Sequence, residues 1–192
     1  MTDDKPAKKG IEAEMLVGLS AVAIGVCALG ISLYETKLMR EEQRSAVLPL
    51  LELSRSHYID AEDTEKEKWR LTLQAENVGI GPARILDFLV TVDGVAQPTW
   101  QAAMAALLRR DVVVRYGQSS INGRTIPPGR TVTMFNLVDR ELAMELVREF
   151  DRLNYEACFC SVFDECWKTS YSSFGGSTPV EACPKTAASF QE

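Results

Sequence analysis

The chain has 192 residues and a net charge of −6 at pH 7, from 21 Lys and Arg against 27 Asp and Glu. Charged residues make up 25% and hydrophobic ones 46%, a balance that excludes a disordered chain and a multi-span membrane protein. The acidic surplus argues against nucleic acid as a partner, because phosphates are met by a basic surface. The single histidine, His57, excludes any mechanism that needs two imidazoles.

Residues 1–14 form a short polar tail. Met15 to Tyr34 then runs for twenty residues without a charge, Pro, Asn or Gln. As a helix it covers about 30 Å, the thickness of a bilayer core, so 15–34 is read as a transmembrane helix with membrane lipid as its surroundings. Three alternatives stand beside this. A buried soluble helix seldom goes so long without a polar face. A cleaved signal peptide has a shorter apolar run, about 7–15 residues, and no convincing A-x-A cleavage site follows this one. A lipoprotein would use Cys27, but Val26 is a poor residue before a lipidated cysteine, and seven uncharged residues follow it.

Gly18, Ala21, Gly25, Ala28 and Ser32 follow helical spacing and make one narrow stripe of small side chains. Such stripes let helices approach closely in lipid, which predicts self-association or a protein partner for the span. Small residues are frequent enough in this run that a second stripe (Ser20, Ala23, Cys27, Gly30) lies on nearly the opposite face. The flanks carry Lys5, Lys8 and Lys9 on one side and Lys37, Arg40 and Arg44 on the other. The positive-inside rule therefore leaves the orientation tied.

Residues 35–46 are rich in helix formers, with a Lys37–Glu41 pair at i, i+4, and predict a helical stalk that Pro49 ends. From there the pattern is mainly β. Leu48 to Ile59 is a candidate strand, and Asp60 to Lys68 a charged hairpin tip. Trp69 to Glu76 alternates with period two. Asn77 to Ala83 is a turn in which Asn77 can bond its own backbone and the glycines permit positive φ. Ile85 to Val92 is a strand that ends at the hairpin turn Asp93-Gly94.

Thr99 to Arg110 reads as a capped helix with Trp100, Met104, Leu107 and Leu108 on its core face. Asp111 to Tyr116 (DVVVRY) reads as a strand, Gly117 to Arg124 as a polar loop, and Thr125 to Arg130 as a turn. Thr131 to Leu137 alternates again as a strand. Arg140 to Leu153 is a second amphipathic helix, with Leu142, Leu146, Val147 and Phe150 inward. Tyr155 to Tyr171 holds one or two closing strands. Residues 172–192 read as a loose tail held only at Cys183.

The run ENVGIGPARILDFLVTVDGV, followed by TIPPGRTVTMF, resembles bacterial immunoglobulin-like modules of the cell-adhesion-related (CARDB) type. The resemblance covers Arg70 to Leu137, with the Thr99–Arg110 helix as an insertion. It implies an Ig-like β-sandwich over residues 47–171, with two short helices, used for presentation or interaction. It carries over no catalytic residue.

Four cysteines, Cys158, Cys160, Cys166 and Cys183, cluster near the C-terminus. On a strand Cys158 and Cys160 share a face and are poorly placed to bridge each other. Disulfides from these two to Cys166 and Cys183 are expected, in either of two pairings. A zinc site competes weakly, because C-x-C-x5-C-x16-C lacks C-x2-C hairpins and a nearby histidine; reduced thiols are the third option. The disulfide reading breaks the orientation tie. It places residues 1–14 in the cytoplasm and the β domain outside the cytoplasmic (inner) membrane, in the periplasm if the cell has one.

No catalytic constellation is legible. His57 has no G-x-S-x-G elbow to serve. Asp164 and Glu165 are neighbours on opposite faces of an extended chain, and no calcium-loop pattern occurs. No cofactor or metal is expected. The sequence therefore predicts a non-enzymatic, single-pass, membrane-anchored interaction or assembly module at the cell envelope. The alternative is a ligand-sensing domain that signals through association of the transmembrane helix. A large enclosed pocket favours sensing, and an exposed apolar patch favours interaction.

Overall fold

The computed structural model describes residues 9–60, 68–173, 176–184 and 190–191. Most of the 1–14 tail, the tip of the charged 60–68 loop and part of the C-terminal segment lie outside the described residues. The chain divides into two units, Met1–Ser45 and Ala46–Glu192.

The first unit is one helix, α1 (Lys9–Ser45), whose 37 residues extend about 55 Å. The apolar run and the stalk are a single element without a break at Glu35. From Met15 to Tyr34 the large apolar side chains are 59–74% exposed. It is one helix long and apolar enough to cross a membrane, near the N-terminus. The Ser20 hydroxyl donates to the Val17 carbonyl at 2.8 Å and the Thr36 hydroxyl to the Ser32 carbonyl at 2.7 Å, so both are satisfied within the helix.

The second unit is sheet-rich. Its strands are β1 (Leu51–Asp60), β2 (Lys68–Asn77), β3 (Ala83–Val92), β4 (Val95–Gln97), β5 (Gly117–Gln118), β6 (Thr125–Ile126), β7 (Thr131–Leu137), β8 (Leu153–Cys160), β9 (Cys166–Ser170) and β10 (Ser177–Val180). One sheet runs β1-β2-β7-β5 and the other β10-β9-β8-β3-β4, with β6 also on β3. All pairings are antiparallel, as short turns between neighbouring strands require. The β3–β4 loop is two residues, Asp93 and Gly94, at φ 50° and 79°. Both sit in the left-handed region that a type I′ hairpin demands.

Two helices complete the domain, α2 (Trp100–Leu108) and α3 (Arg140–Arg148). Thr99 caps α2 by accepting from the Ala102 amide, and Asp139 caps α3 by accepting from Leu142. Sequence analysis treats the first helix as an insertion; the structure makes it the centre of the core. Trp100 is buried with its ring 5.3 Å from Phe135 of β7 and 6.3 Å from Phe88 of β3. One side chain thus joins the two sheets. The second helix is shorter than the Arg140–Leu153 expectation. A 3-10 turn at Phe150–Arg152 follows it, and Leu153 already begins β8.

Two further expectations change. Asp111 to Tyr116 forms no strand, and Val113 is fully exposed, because no neighbouring strand offers a ladder. β-propensity without a partner does not make a strand. The segment after Ser172 has more holding it than Cys183. β10 pairs with β9, and Phe190 is buried against Trp100 at 4.9 Å and Phe88 at 5.5 Å. Its amide donates to the Phe88 carbonyl at 3.1 Å.

Arg152 fastens the helical side. It meets Asp93 at 2.6 Å and Glu149 at 2.9 Å, and donates to the Leu107 carbonyl at 2.8 Å. Hydrogen bonds from Arg152 hold the Asp93 carboxyl below its ordinary range, against a smaller opposing effect of desolvation. A depressed carboxyl stabilises the fold above its unfolded pKa and loses that contribution as pH falls through the folded value. Asp93→Asn keeps a residue suited to the turn and removes the charge. The stability gap between wild type and this variant, from urea midpoints in detergent, is expected to hold from neutral pH down to the ordinary carboxyl value of 3.8 and to shrink as pH falls below it. A gap that is constant with pH would contradict the pairing. Trp100→Ala is expected to cost about 3–5 kcal/mol in the same measurement.

Candidate functional site

His57 is exposed on β1, opposite Leu71 in the β1–β2 register. Asp164 lies in the β8–β9 turn at φ 59°, paired with Arg84 at 2.7 Å. The Ser161 amide donates to the Glu165 carbonyl at 2.8 Å, closing that turn. The structure brings neither carboxylate to His57. A surface depression of about 350 Å³ is an open cleft between the 110–114 segment and α3. Its acidic groups include Glu145, paired with Arg110 at 2.6 Å, and the helix cap Asp139.

Space inside the core is small. Between Trp100, Met104, Leu146 and Phe150 there is room for about 10 Å³, the scale of one water rather than of a small ligand.

The end of the domain where its sequence begins is organised by Asn77, which is fully buried. Its Oδ1 accepts from Gly79 at 3.1 Å and Leu50 at 3.3 Å, and its Nδ2 donates to Gly81 at 2.8 Å and Ile126 at 2.9 Å. One side chain thereby fixes three segments. Sequence analysis expects Gly79 and Gly81 to supply positive φ, but neither has it. Their requirement is space: a Cβ on Gly81 would overlap the Val47 carbonyl, and one on Gly79 the Leu50 amide. The 47–50 backbone lies directly on the turn, with Val78 donating to Leu50 at 2.8 Å and Ile80 to Leu48 at 3.1 Å.

This arrangement turns apolar side chains outward. Leu48, Leu50, Val78 and Ile80 are 38–64% exposed. The β8–β9 turn reaches the same end, since Arg84 faces Cys160 across β3–β8, and it adds exposed Val162 and Phe163. Sequence reasoning missed this surface. The available signal was apolar residues inside two turn segments, where polar ones are ordinary.

The sulfurs lie elsewhere. Leu153, Tyr155, Ala157 and Phe159 of β8 face the core, so Cys158 and Cys160 lie on the outer face of that sheet. Cys158 is paired with Cys183 and Cys160 with Cys166, one of the two arrangements left open by the sequence. These bonds tie the C-terminal segment and the β8–β9 hairpin to one sheet and do not cross between sheets. On α1, Gly18 and Gly25 have nothing within 4 Å of a Cβ position, and Cys27 is free and exposed. Ala21, Ala28 and Ser32 continue that face of the helix.

No family model matches the chain, and no curated protein matches its sequence. The likeness to CARDB-type modules therefore rests on the turn motifs quoted above.

Asn77→Ala strands two buried carbonyls and two amides. At about 1–3 kcal/mol for a group left unpaired, with partial relaxation, the expected loss is about 2–4 kcal/mol in urea unfolding. A loss under about 0.5 kcal/mol would mean that water replaces the amide and that Asn77 does not organise this end.

Proposed function

We propose that the chain is a membrane-anchored Ig-like domain that acts as a non-catalytic interaction or assembly module at the cell envelope. The observation that carries this reading is the set of exposed apolar side chains Leu48, Leu50, Val78, Ile80, Val162 and Phe163 at one end of a domain whose cavity beside Trp100, among the described residues, holds only about 10 Å³. Exposed apolar side chains gathered at one end of a domain favour a place where another molecule binds.

Strand order supports the Ig-like part. With β1, β2, β3, β5, β7, β8 and β9 taken as strands A to G, the sheets contain the orders A-B-E-D and G-F-C found in a constant-type Ig domain, and β4, β6 and β10 are additions to the second sheet. The apolar turns are then the B–C and F–G loops, which cluster at one end of such a sandwich and carry recognition in antibody variable domains. Two departures accompany this reading. The core tryptophan comes from α2 rather than strand C, and the disulfides staple F to G and to the C-terminal segment rather than B to F.

α1 as a lipid-embedded anchor and the paired cysteines support an inner-membrane protein with residues 1–14 in the cytoplasm and the domain in an oxidising, extracytoplasmic space. The stripe from Gly18 to Ser32 offers a face for self-association or for a partner helix.

A photo-crosslinking residue at Ile80 or Phe163, in native membranes, is expected to give discrete protein adducts. The same residue at exposed Val95, on the opposite β3–β4 turn, is expected to give none. Equal labelling from all three positions, or none from any, would remove the interaction surface. For orientation, an impermeant maleimide applied to intact spheroplasts is expected to label the four domain cysteines only after reduction. Four thiols reactive without reductant would overturn the compartment.

A further inference from the structure

On the outer face of the second sheet three sulfurs, those of Cys160, Cys166 and Cys183, form a compact donor set, and the fourth, of Cys158, is bonded to Cys183. Cys158 and Cys160 are two residues apart on β8 and share a face. Cys166 stands opposite Cys160 across β8–β9, with 4.0 Å between Cα atoms. Cys183 meets them from the C-terminal segment. The Sγ atoms of Cys160, Cys166 and Cys183 all lie within 4.8 Å of one another, and those of Cys160 and Cys183 are 3.8 Å apart. In a tetrahedral thiolate centre with metal–sulfur bonds of about 2.3 Å, neighbouring sulfurs are about 3.8 Å apart. The Cys160–Cys183 gap has the length of one edge of such a tetrahedron, and Cys158, released from Cys183 on reduction, must move in to complete it.

The surroundings suit thiolates. Arg84 is the cross-strand partner of Cys160 and Lys168 that of Cys158, so both cations project from the same face as the sulfurs. Positive charge beside a thiol favours its ionised form, and charged groups around a metal tune its affinity. Their carboxylate partners, Asp164 and Glu156, offset part of this charge, and buried Asp87 faces Cys158 across β3–β8 and opposes its ionisation. Three of the four sulfurs are buried, which excludes water, while Cys183 is partly exposed and gives a cation a way in.

We infer that, once reduced, Cys158, Cys160, Cys166 and Cys183 form a four-thiolate site for a thiophilic d10 cation, with zinc(II) as the representative. Each disulfide takes two electrons and two protons from a dithiol reductant, which leaves as its own disulfide. The cation then displaces the four thiol protons to give a centre of formula M(SR)4 and charge 2−. Oxidised, the same sulfurs are spent on each other, so binding is gated by redox state. The spacing C-x-C-x5-C-x16-C conceals this, because the β8–β9 register and the returning C-terminal segment supply a proximity that C-x2-C hairpins supply in zinc ribbons. The inference rests on this cluster alone and is independent of the envelope reading and of the apolar end.

The test uses the full-length chain in detergent, reduced anaerobically with a phosphine. Titration with cobalt(II) is expected to give thiolate-to-metal charge-transfer absorption and tetrahedral d–d bands that saturate at one metal per chain and vanish on adding zinc. Zinc is expected to protect four thiols from maleimide by mass, leaving Cys27 reactive. Cys160→Ser and Cys183→Ser should each weaken binding by at least about tenfold, as loss of a ligand exceeds loss of a supporting contact. Cys27→Ser should leave the titration unchanged, which separates the folded cluster from adventitious thiol binding. Absent charge-transfer bands, bands that survive both cluster substitutions, or protection of two thiols or fewer would each overturn the site.

Discussion

Between Met15 and Tyr34, α1 presents eleven large apolar side chains, none less than 59% exposed among the described residues. Water is a poor solvent for such a surface, because each square ångström of apolar area left in it costs about 25 cal/mol. A helix of this kind needs lipid or other helices around it. Its own chemistry suits lipid: backbone groups are bonded within the helix, and the Ser20 hydroxyl is bonded to the helix too. This constraint explains the division of the chain. The residues from Ala46 onward close a core of their own.

They close it around Trp100. The two sheets do not meet through a disulfide, and α2 carries the indole that touches both, with Phe190 returning to pack on it. Arg152 ties the hairpin at Asp93 to the end of α2 and to Glu149. The polar fastening at the other end is Asn77. With its donors and acceptors all engaged, Asn77 holds the turn and the 47–50 backbone in a fixed relation, and the side chains left over point outward as apolar groups. The same packing that completes the fold thus creates the surface that the proposed interaction uses.

Local chemistry was legible in the sequence. The Asp93-Gly94 turn, the Thr99 cap, the period-two strand before Asn77 and the apolar run of α1 each depend on neighbours within a few positions. Features that depend on distant partners were not. DVVVRY has strong strand propensity, but it lies where no strand runs beside it. Gly79 and Gly81 looked like conformational glycines, and only the approach of the 47–50 backbone shows that they are steric ones. Phe190 sits among small and polar residues, so nothing local marks it as a core residue. The sulfur pairing was narrowed to two arrangements by strand geometry, and it took the path of the chain after β9 to select one.

The most direct measurement is the partition of the full-length chain on cell breakage. After ultracentrifugation without detergent, and again after an alkaline carbonate wash, the chain is expected in the membrane pellet and to be released only by detergent. Full-length chain in the detergent-free supernatant would contradict a lipid-solvated α1 and, with it, the anchored module built upon that helix.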